Sequence, residues 1–300
     1  MIRALVTLVL ILAVASCGST AADERETRDG VPATLRVGLI PNIAPEEQEA
    51  KYQPFADYLA DELGVEVELF VASDYAGVVA ALVGGRIDVA YLGGLTYVQA
   101  EQQVELTPLV TEIDHETGTT KYLSAIVARA DSDIDDIDDV VAEGRTFAFG
   151  DVSSTSGSLY PRIMLTDAGA RCDARRVEQC PPLERVDFTG GHDATALAVL
   201  GGKVDAGGVE LRILHRLENE GTVTKGALRV VEEREVPGYP WVMRTELGDR
   251  AAQRISEAFT AIDDPKLLDL MRARSYAKVT AADYEEIRTR GTGLGLVEVG

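Results

Sequence analysis

The sequence predicts an α/β fold built as two lobes, and three observations predict it. Apolar runs of strand length alternate with segments of helical spacing. This alternation comes in two successive sets, the first over residues 35–111 and the second over residues 145–233. About 270 residues remain once the N-terminal segment is set aside, which is enough for two lobes with proper cores.

The first set predicts a sheet with helices on both faces. Its strands are predicted over residues 35–40, 65–71, 87–92 and 106–111. Its helices are predicted over residues 45–63, 74–84 and 96–102. Pro54 should kink the first of these helices, and Asp74 can cap the second because it precedes the helical run.

The second set predicts a further sheet. Its strands are predicted over residues 145–149, 186–188, 204–209 and 228–233, and its helices after Ser156, over 192–200 and over 210–218. A separate strand is predicted before this set, over residues 122–130. Three helical segments follow, over residues 249–262, 265–272 and 281–290, and we expect them to return to the first lobe. The predicted lobes are therefore 33–121 with 245–300, and 122–244, joined by crossovers near 121–126 and 239–244.

The N-terminus has the pattern of a bacterial secretion signal over residues 1–16. Arg3 precedes a short apolar run, and Val14-Ala15-Ser16 places small residues before Cys17. This pattern resembles a lipoprotein signal, which would make Cys17 the lipidated first residue of the mature chain. The alternative is an ordinary signal peptide with a chance cysteine. Residues 17–32 are polar and read as a flexible tether.

Composition limits the partners. The chain has 300 residues and a formal net charge of -21, and removing residues 1–16 removes Arg3, so that the mature value is -22. Such acidity argues against nucleic acid and against a polybasic membrane contact. An anion site in this chain must rely on local dipoles and hydroxyl groups, which favours a closed, dry cleft.

The remaining cysteines, Cys172 and Cys180, lie in a loop-like stretch, and an oxidising compartment favours a local disulfide between them. The alternative is two free thiols. We expect no metal: only three histidines are present, and the Asp-rich segment 131–139 lacks the Gly and Glu of a calcium loop.

The strongest functional pattern is an apolar strand that turns into a helix through hydroxyl residues. Phe147-Ala148-Phe149 leads into Gly150-Asp151, and Ser154, Thr155 and Ser156 then begin a helix. Helix N-termini bind anions because their N–H groups lack partners and the helix dipole is positive there. No base or metal ligand lies in the segment, so it is suited to holding an oxyanion.

Three further polar side chains follow predicted strand ends: Tyr75, Tyr97 and His192. Ligands of open α/β sheets bind beyond the carboxyl ends of strands. Tyrosine hydroxyls and a histidine at a helix start can all donate to an anion. Alone, each Tyr could be core packing and His192 a helix-start hydrogen bond. The phosphate-loop, Gly-x-Ser-x-Gly and His-Glu-x-x-His signatures of enzymes are missing from the sequence.

Taken together, a set of motifs stands in the order and spacing of a known family. They are Val37–Ile40 with Pro41, Tyr58-Leu59, Leu63-Gly64, Asp74-Tyr75, Gly84–Ala90, Gly93–Tyr97, Phe147–Phe149, Ser154–Gly157, Gly191-His192-Asp193, Lys203–Ala206, Pro240-Trp241 and Asp283-Tyr284. Over residues 33–295 the chain resembles the phosphate, phosphite and phosphonate solute-binding proteins of ABC importers. The resemblance implies a type II periplasmic-binding fold with ligand clamped between lobes.

The resemblance also implies roles for individual residues. Ser154, Thr155, Ser156 and His192 would hold a tetrahedral oxyanion from one lobe, and Tyr75 and Tyr97 would approach from the other. Glu210 stands near the position where aminoalkylphosphonate binders offer an acid to the ligand amine. The segment Gly93–Ala100 with Phe149-Gly150 is similar to a subgroup labelled as selenate binders.

The N-terminal signal, the missing enzyme motifs and the family resemblance together predict a monomeric, lipid-anchored, non-enzymatic protein at the outer face of the cytoplasmic membrane. It would need no cofactor and would deliver its anion to an ABC permease with its ATPase. The alternatives are a selenate binder of the same family, or an exported enzyme or sensor on the same fold.

Overall fold

The structure is a computed structural model that describes residues 26–43, 45–172 and 176–298, and within helix Pro45–Leu63 the side chains from residue 50 onward. Two mixed sheets, each flanked by helices, form two lobes. The α/β, two-lobed architecture predicted from the strand and helix alternation is therefore confirmed.

Lobe 1 contains a six-stranded sheet in the order β13-β6-β12-β5-β3-β4. Its strands are β3 Thr34–Leu39, β4 Glu66–Val71, β5 Val89–Tyr91, β6 Leu106–Asp114, β12 Trp241–Arg244 and β13 Ala273–Lys278. Strands β3, β4 and β5 run parallel, and the other three pair antiparallel. The parallel group places its carboxyl ends, and the loops that follow them, toward lobe 2.

The helices of lobe 1 agree closely with the predicted spacing. They are α1 Pro45–Leu63, α2 Tyr75–Val83, α3 Gly94–Glu101, α8 Gly248–Thr260, α9 Pro265–Leu270 and α10 Glu285–Gly293. Pro54 lies inside α1, and Asp74 caps α2 by accepting a hydrogen bond from the Gly77 backbone N–H at 2.8 Å. The last three helices return to lobe 1, as the sequence predicts.

Lobe 2 contains a five-stranded sheet in the order β11-β7-β10-β8-β9. Its strands are β7 Lys121–Arg129, β8 Thr146–Phe149, β9 Arg185–Phe188, β10 Ala206–Glu210 and β11 Leu228–Pro237. Its helices are α4 Ile137–Val140, α5 Tyr160–Asp167, α6 His192–Leu200 and α7 Leu211–Asn219, and a π-helical turn, Thr155–Leu159, leads directly into α5. Strands β10, β8 and β9 are parallel neighbours, so their carboxyl ends meet at one edge.

One predicted boundary needs correction. Residues 241–244 were assigned to lobe 2, but Trp241–Arg244 pairs with β5 and β6 in the sheet of lobe 1. Trp241 is fully buried there, with its ring 4.7 Å from that of Phe259 and 5.4 Å from that of Phe55. Burial of this indole fixes the strand in lobe 1, so the second crossover lies before residue 241.

The predicted tether is also too long. Thr27–Arg28 (β1) and Val31–Pro32 (β2) form a β-hairpin, and Val31 is fully buried. Arg28 donates to the Gly64 carbonyl at 2.9 Å, which holds the hairpin against lobe 1. The Val31 side chain packs in the apolar core of lobe 1, so this segment is part of the fold. Cys17 lies outside the described residues.

The Asp-rich segment forms short helix α4, where the Asp136 side chain accepts hydrogen bonds from two backbone N–H groups. Within the described residues, no group of histidine, cysteine and carboxylate side chains has the arrangement of a metal site. In the same part of the chain no helix combines the length and apolarity that crossing a membrane requires. Cys172 and Cys180 are joined by a disulfide.

Candidate functional site

The site is built at the carboxyl ends of three adjacent parallel strands of lobe 2. Strand β8 leads to the loop that carries Ser154–Ser156, β9 leads to His192, and β10 ends in Glu210. Because these strands neighbour one another in the sheet, residues more than 50 positions apart in sequence meet at one edge. All five of these side chains are buried.

Ser154, Thr155 and Ser156 begin the helix, and we call these three residues the cradle. The Ser154 hydroxyl oxygen accepts a hydrogen bond from the Gly157 backbone N–H at 3.0 Å and so caps the helix. The Ser156 hydroxyl is fully buried and has no hydrogen-bond partner among the residues that the structure describes. A buried donor without a partner costs free energy, so it marks a place where a ligand atom is expected.

His192 lies against the cradle in a single tautomer. Its Nδ1 accepts a hydrogen bond from the Glu210 backbone N–H at 3.1 Å, so the neutral ring carries its proton on Nε2. Nε2 is buried, and no described residue forms a hydrogen bond with it. Burial lowers the pKa of His192, although the Glu210 carboxylate opposes that shift. A Cβ on Gly157 would lie 3.0 Å from His192 Cε1, so this close approach requires glycine.

Glu210 is a buried carboxylate held ionised. Burial alone would raise its pKa, but the guanidinium groups of Arg212 and Arg272 outweigh burial and lower the pKa to about 2. Oε1 accepts from Arg212 Nε at 2.8 Å and lies 3.6 Å from Arg272 Nη2, while Oε2 accepts from the Tyr239 hydroxyl at 2.6 Å. Oε2 also lies 4.0 Å from His192 Nε2.

Two tyrosines complete this group. Burial raises the pKa of Tyr75 well above its usual value, and the nearby Asp151 carboxylate adds to the shift, while the Ser154 hydroxyl opposes it. Tyr122 is fully buried, and within the described part of the chain its hydroxyl makes no hydrogen bond of normal geometry. Burial raises its pKa, the Glu210 carboxylate adds to the shift, and the neighbouring Ser156 hydroxyl opposes it. Both phenols therefore stay neutral and can donate.

Thr155 joins the two lobes directly. Its hydroxyl oxygen accepts a hydrogen bond from the Leu95 backbone N–H of α3 at 2.9 Å. In return, the Thr96 hydroxyl of lobe 1 donates to the Ser153 carbonyl of lobe 2 at 3.0 Å. Two helix N-termini thus face each other across the interface, and a Cβ on Gly93 would lie 2.9 Å from the Thr155 hydroxyl.

Tyr97 is placed differently from the other predicted site residues. Its ring packs edge-on against Tyr284 with centroids 5.2 Å apart, and its hydroxyl is influenced by Glu101 and Arg288. Those residues belong to α3 and α10 of lobe 1, away from His192 and Glu210. The structure therefore groups Tyr75, the cradle, His192 and Glu210, and leaves Tyr97 in a separate cluster.

A network of paired charges lies beside Glu210 and could not be predicted from the sequence. Arg212 is buried and donates from Nη1 to Glu112 at 3.2 Å and to Asp114 at 2.8 Å, in addition to its bond with Glu210. We call Arg212, Glu210, Glu112, Asp114 and Arg272 the ion network. The Glu210-x-Arg212 spacing at a strand end is the one local sign of this network. The carboxylates of Glu112 and Asp114, which Arg212 also contacts, lie about a hundred positions away in sequence.

A pocket of about 210 Å³ opens between the lobes close to the site. It is lined from lobe 1 by Pro41 and Asp74, and from lobe 2 by Asp151, Gly191 and Asp193. Burial raises the pKa of Asp151. The pocket is therefore lined by carboxylates, of which that of Asp193 is next to His192 in sequence, whereas the donors that can hold an anion are buried and do not line it.

Comparison with known proteins gives consistent findings. The profile of the family described as the periplasmic substrate-binding protein of phosphonate ABC transporters matches residues 37–284. The phosphate-import protein PhnD of Mycolicibacterium smegmatis is 30% identical over 295 residues, covering 92% of this chain and 91% of that protein. The probable phosphite-binding protein PhnD1 of Prochlorococcus marinus is 24% identical over 280 residues, covering 89% and 91%.

Solved structures share the fold. PhnD1 of Prochlorococcus marinus in complex with methylphosphonate superimposes with a TM-score of 0.78 at 23% identity, covering 88% of this chain and 99% of that one. A binding protein of a phosphonate ABC transporter from Pseudomonas aeruginosa gives 0.77 at 23% identity, covering 87% and 86%. The type II periplasmic-binding architecture expected from the motifs is confirmed.

Proposed function

Because this chain belongs to the family of periplasmic substrate-binding proteins of phosphonate ABC transporters, we propose that it captures a small phosphorus oxyanion in the cradle. Family membership makes it an extracytoplasmic binding component that serves a membrane permease and its ATPase. The ligand would be phosphate, phosphite or a small phosphonate, held between the lobes and released to the permease.

One observation carries the proposal: among the described residues, three buried donors around one helix start have no hydrogen-bond partner. They are the Ser156 hydroxyl, His192 Nε2 and the Tyr122 hydroxyl. Each is buried to 1% exposure or less, so water does not satisfy it from outside. A tetrahedral anion offers acceptors in several directions at once, and charge-assisted hydrogen bonds are about twice as strong as neutral ones.

The 4.0 Å separation between His192 Nε2 and Glu210 Oε2 supports a protonated ligand. One ligand oxygen can lie about 2.8 Å from both atoms. It would accept from His192 Nε2–H, and it must donate to Glu210, since an ionised carboxylate only accepts. Phosphate keeps a proton near neutral pH, whereas selenate has none. The geometry therefore favours a phosphorus oxyanion that keeps an O–H group over selenate, and among the candidates it favours phosphate.

The ion network argues against a ligand amine as the main determinant of ligand recognition at Glu210. Glu210 already contacts the guanidinium groups of Arg212 and Arg272, so an ammonium group would add a third cation to a single carboxylate. A compact anion without a cationic tail fits this charge balance better.

An enzyme on this fold would need a base at the site, and His192 is the side chain there that could act as one. Its Nδ1 lone pair is occupied by the Glu210 N–H, and its Nε2 carries the proton. A ring in that state donates and cannot accept a proton from a nucleophile. This supports a binding role, in keeping with relatives that are transport proteins.

Calorimetric titration of the purified protein tests the proposal. We expect phosphate to bind at least a hundredfold more tightly than selenate. Methylphosphonate, which loses its last proton near neutral pH, should weaken more than phosphate as the pH rises. Equal affinity for phosphate and selenate would contradict the role of Glu210. Native mass spectrometry of protein from its host would identify the ligand directly.

We also propose that Cys17 carries a lipid anchor, because Val14-Ala15-Ser16 precedes it. Labelled fatty acid should appear on the wild-type protein and disappear in Cys17→Ala. Labelling that persists in Cys17→Ala would contradict the anchor. This proposal is independent of the ligand.

A further inference from the structure

Arg162 of α5 is a buried cation whose contacts within the described part of the chain are all with neutral groups. Its exposure is 1%, and no acidic side chain among residues 26–43, 45–172 and 176–298 pairs with it. This differs from buried Arg212, which contacts three carboxylates. Burying a charge without a partner costs several kilocalories per mole, so its presence asks for an explanation.

Neutral groups hold the Arg162 side chain in place. Nε contacts the Ser158 hydroxyl at 3.4 Å, Nη2 donates to the Val177 carbonyl at 2.7 Å, and Nη1 lies 3.7 Å from Cys180 Sγ. The guanidinium also lies over the Phe149 ring, 4.0 Å from its centroid. Burial lowers the pKa of Arg162 to about 10, so the group remains charged at neutral pH.

The position of this charge links it to the cradle. Side chains of a helix point back toward its N-terminus, and Ser158 lies in the helical turn that the cradle begins. Phe149 ends the strand that leads to the cradle, and Phe188, whose ring centroid is 5.6 Å from the guanidinium, ends the strand that leads to His192. The cation therefore lies beneath both loops, on the order of 10 Å from an anion in the cradle.

We infer that the bound oxyanion is the counter-ion of Arg162, and that Arg162 strengthens anion binding without touching the ligand. This inference rests on the proposed function. In a chain of net charge -21, the general field repels an anion. A cation shielded from water by Phe149 and Phe188 acts through a medium of low dielectric constant, so salt screens it little. The anion then supplies the negative charge that no described residue provides for Arg162.

The test is titration of inorganic phosphate into wild type, Arg162→Met, Arg162→Lys and Arg185→Met. Arg185 is a matched control because it is an exposed lobe 2 arginine, half accessible to water, that pairs with Asp187. At about pH 8, where phosphate carries two charges, we expect Arg162→Met to weaken binding about tenfold, or about 1.4 kcal/mol. At about pH 5, with one charge, the loss should be about threefold. Arg162→Lys and Arg185→Met should stay within about twofold of wild type at about pH 5.

A purely structural role for Arg162 would give a different pattern. Equal losses in Arg162→Met and Arg162→Lys at about pH 5, or the same loss for singly and doubly charged phosphate, would overturn the inference. Should Arg162→Met fail to fold, Arg162→Lys serves alone: a buried lysine loses its charge as the pH rises, so its affinity should fall relative to wild type between about pH 6 and 9. A constant ratio would overturn the inference.

The two proposals fail in distinguishable ways. Wild-type protein that bound none of phosphate, phosphite and methylphosphonate would overturn the proposed function, and this inference with it. Wild-type binding that is unchanged in Arg162→Met at both pH values would overturn this inference alone.

Discussion

The two halves of the site are equally buried but differ in how their polar groups are satisfied. In the ion network, Arg212 donates to Glu210, Glu112 and Asp114, and Arg272 also approaches Glu210. In the cradle half, by contrast, the Ser156 hydroxyl and His192 Nε2 have no hydrogen-bond partner among the described residues. Arg212 Nη2 and Arg272 Nε also lack a hydrogen-bond partner in that part of the chain, but the charges of the ion network are paired without a ligand.

This difference separates support from recognition. Paired buried charges hold the ends of strands β6 and β10 together across the lobes, so their removal should affect folding. Unpaired buried donors contribute nothing favourable until an acceptor arrives, so their removal should affect binding. Substitutions in the ion network should therefore change the free energy of unfolding, and substitutions in the cradle should change ligand affinity.

Arg212→Met should be the most damaging substitution, because it leaves buried carboxylates without their cation. We expect the free energy of unfolding in urea to fall by about 3–5 kcal/mol. Arg216→Met on the same helix is the control: its Nη1 pairs with half-exposed Glu220 at 3.0 Å, and its loss should cost at most about 1 kcal/mol. Equal losses in the two variants would contradict the division.

Ser156→Ala should leave the ligand-free protein as stable as wild type, because the hydroxyl it removes has no partner. Phosphate affinity should nevertheless fall roughly ten- to a hundredfold, the value of one charge-assisted hydrogen bond of about 1.5–3 kcal/mol. Ser154→Ala is the comparison: it removes the helix cap and should lower stability by about 1 kcal/mol. Unchanged phosphate affinity in Ser156→Ala would remove this hydroxyl from the site.

The two histidines on lobe 2 should titrate in opposite directions from the ordinary value of 6.5. Burial lowers the pKa of His192, so the unfolded chain binds more protons below about pH 6.5 and stability is lost there as the pH falls. The hydrogen bond to Glu116 raises the pKa of His215, so its stabilisation is present below pH 6.5 and is lost as the pH rises through the raised pKa. NMR titration of the ring protons checks both signs, with His215→Gln to assign the resonances.

The smallest effect concerns the rate of binding. We call Asp74, Asp151 and Asp193, which line the pocket between the lobes, the acidic mouth. An anion that enters through this pocket passes these carboxylates in a chain of net charge -21. Salt screens this repulsion, so the association rate for phosphate should rise a few-fold between about 10 mM and 150 mM salt. Stopped-flow measurement checks this, and a rate that falls with salt would contradict a repulsive mouth.

The parts of the site that the sequence predicted are those with a local cause. Ser154–Ser156 and His192 follow apolar strands directly, so strand end and helix start are visible within a dozen residues. The Arg212 bonds to Glu112 and Asp114 join residues 100 and 98 positions apart, so no local sequence pattern predicts these bonds. Arg162 looks like a surface residue in sequence, and only the packing of Phe149 and Phe188 around it shows otherwise.

For Tyr97 and Trp241, the sequence predicts the local element or its position but not the direction or the lobe of the side chain. Tyr97 follows a strand end as predicted, but the contact between α3 and α10 turns its ring toward Tyr284. Trp241 begins a strand of only four residues, too short for its period to be recognised, and burial against Phe55 and Phe259 fixes its lobe. Element type could be predicted from local pattern, whereas side-chain direction and lobe assignment depend on packing.

A crystal structure of the protein grown with phosphate tests the central claim most directly. We predict a tetrahedral anion with oxygens about 2.8 Å from the Ser156 hydroxyl and from His192 Nε2, and one of these oxygens equally close to Glu210 Oε2. Phosphate bound elsewhere, with the Ser156 hydroxyl and His192 Nε2 still without partners, would contradict the account.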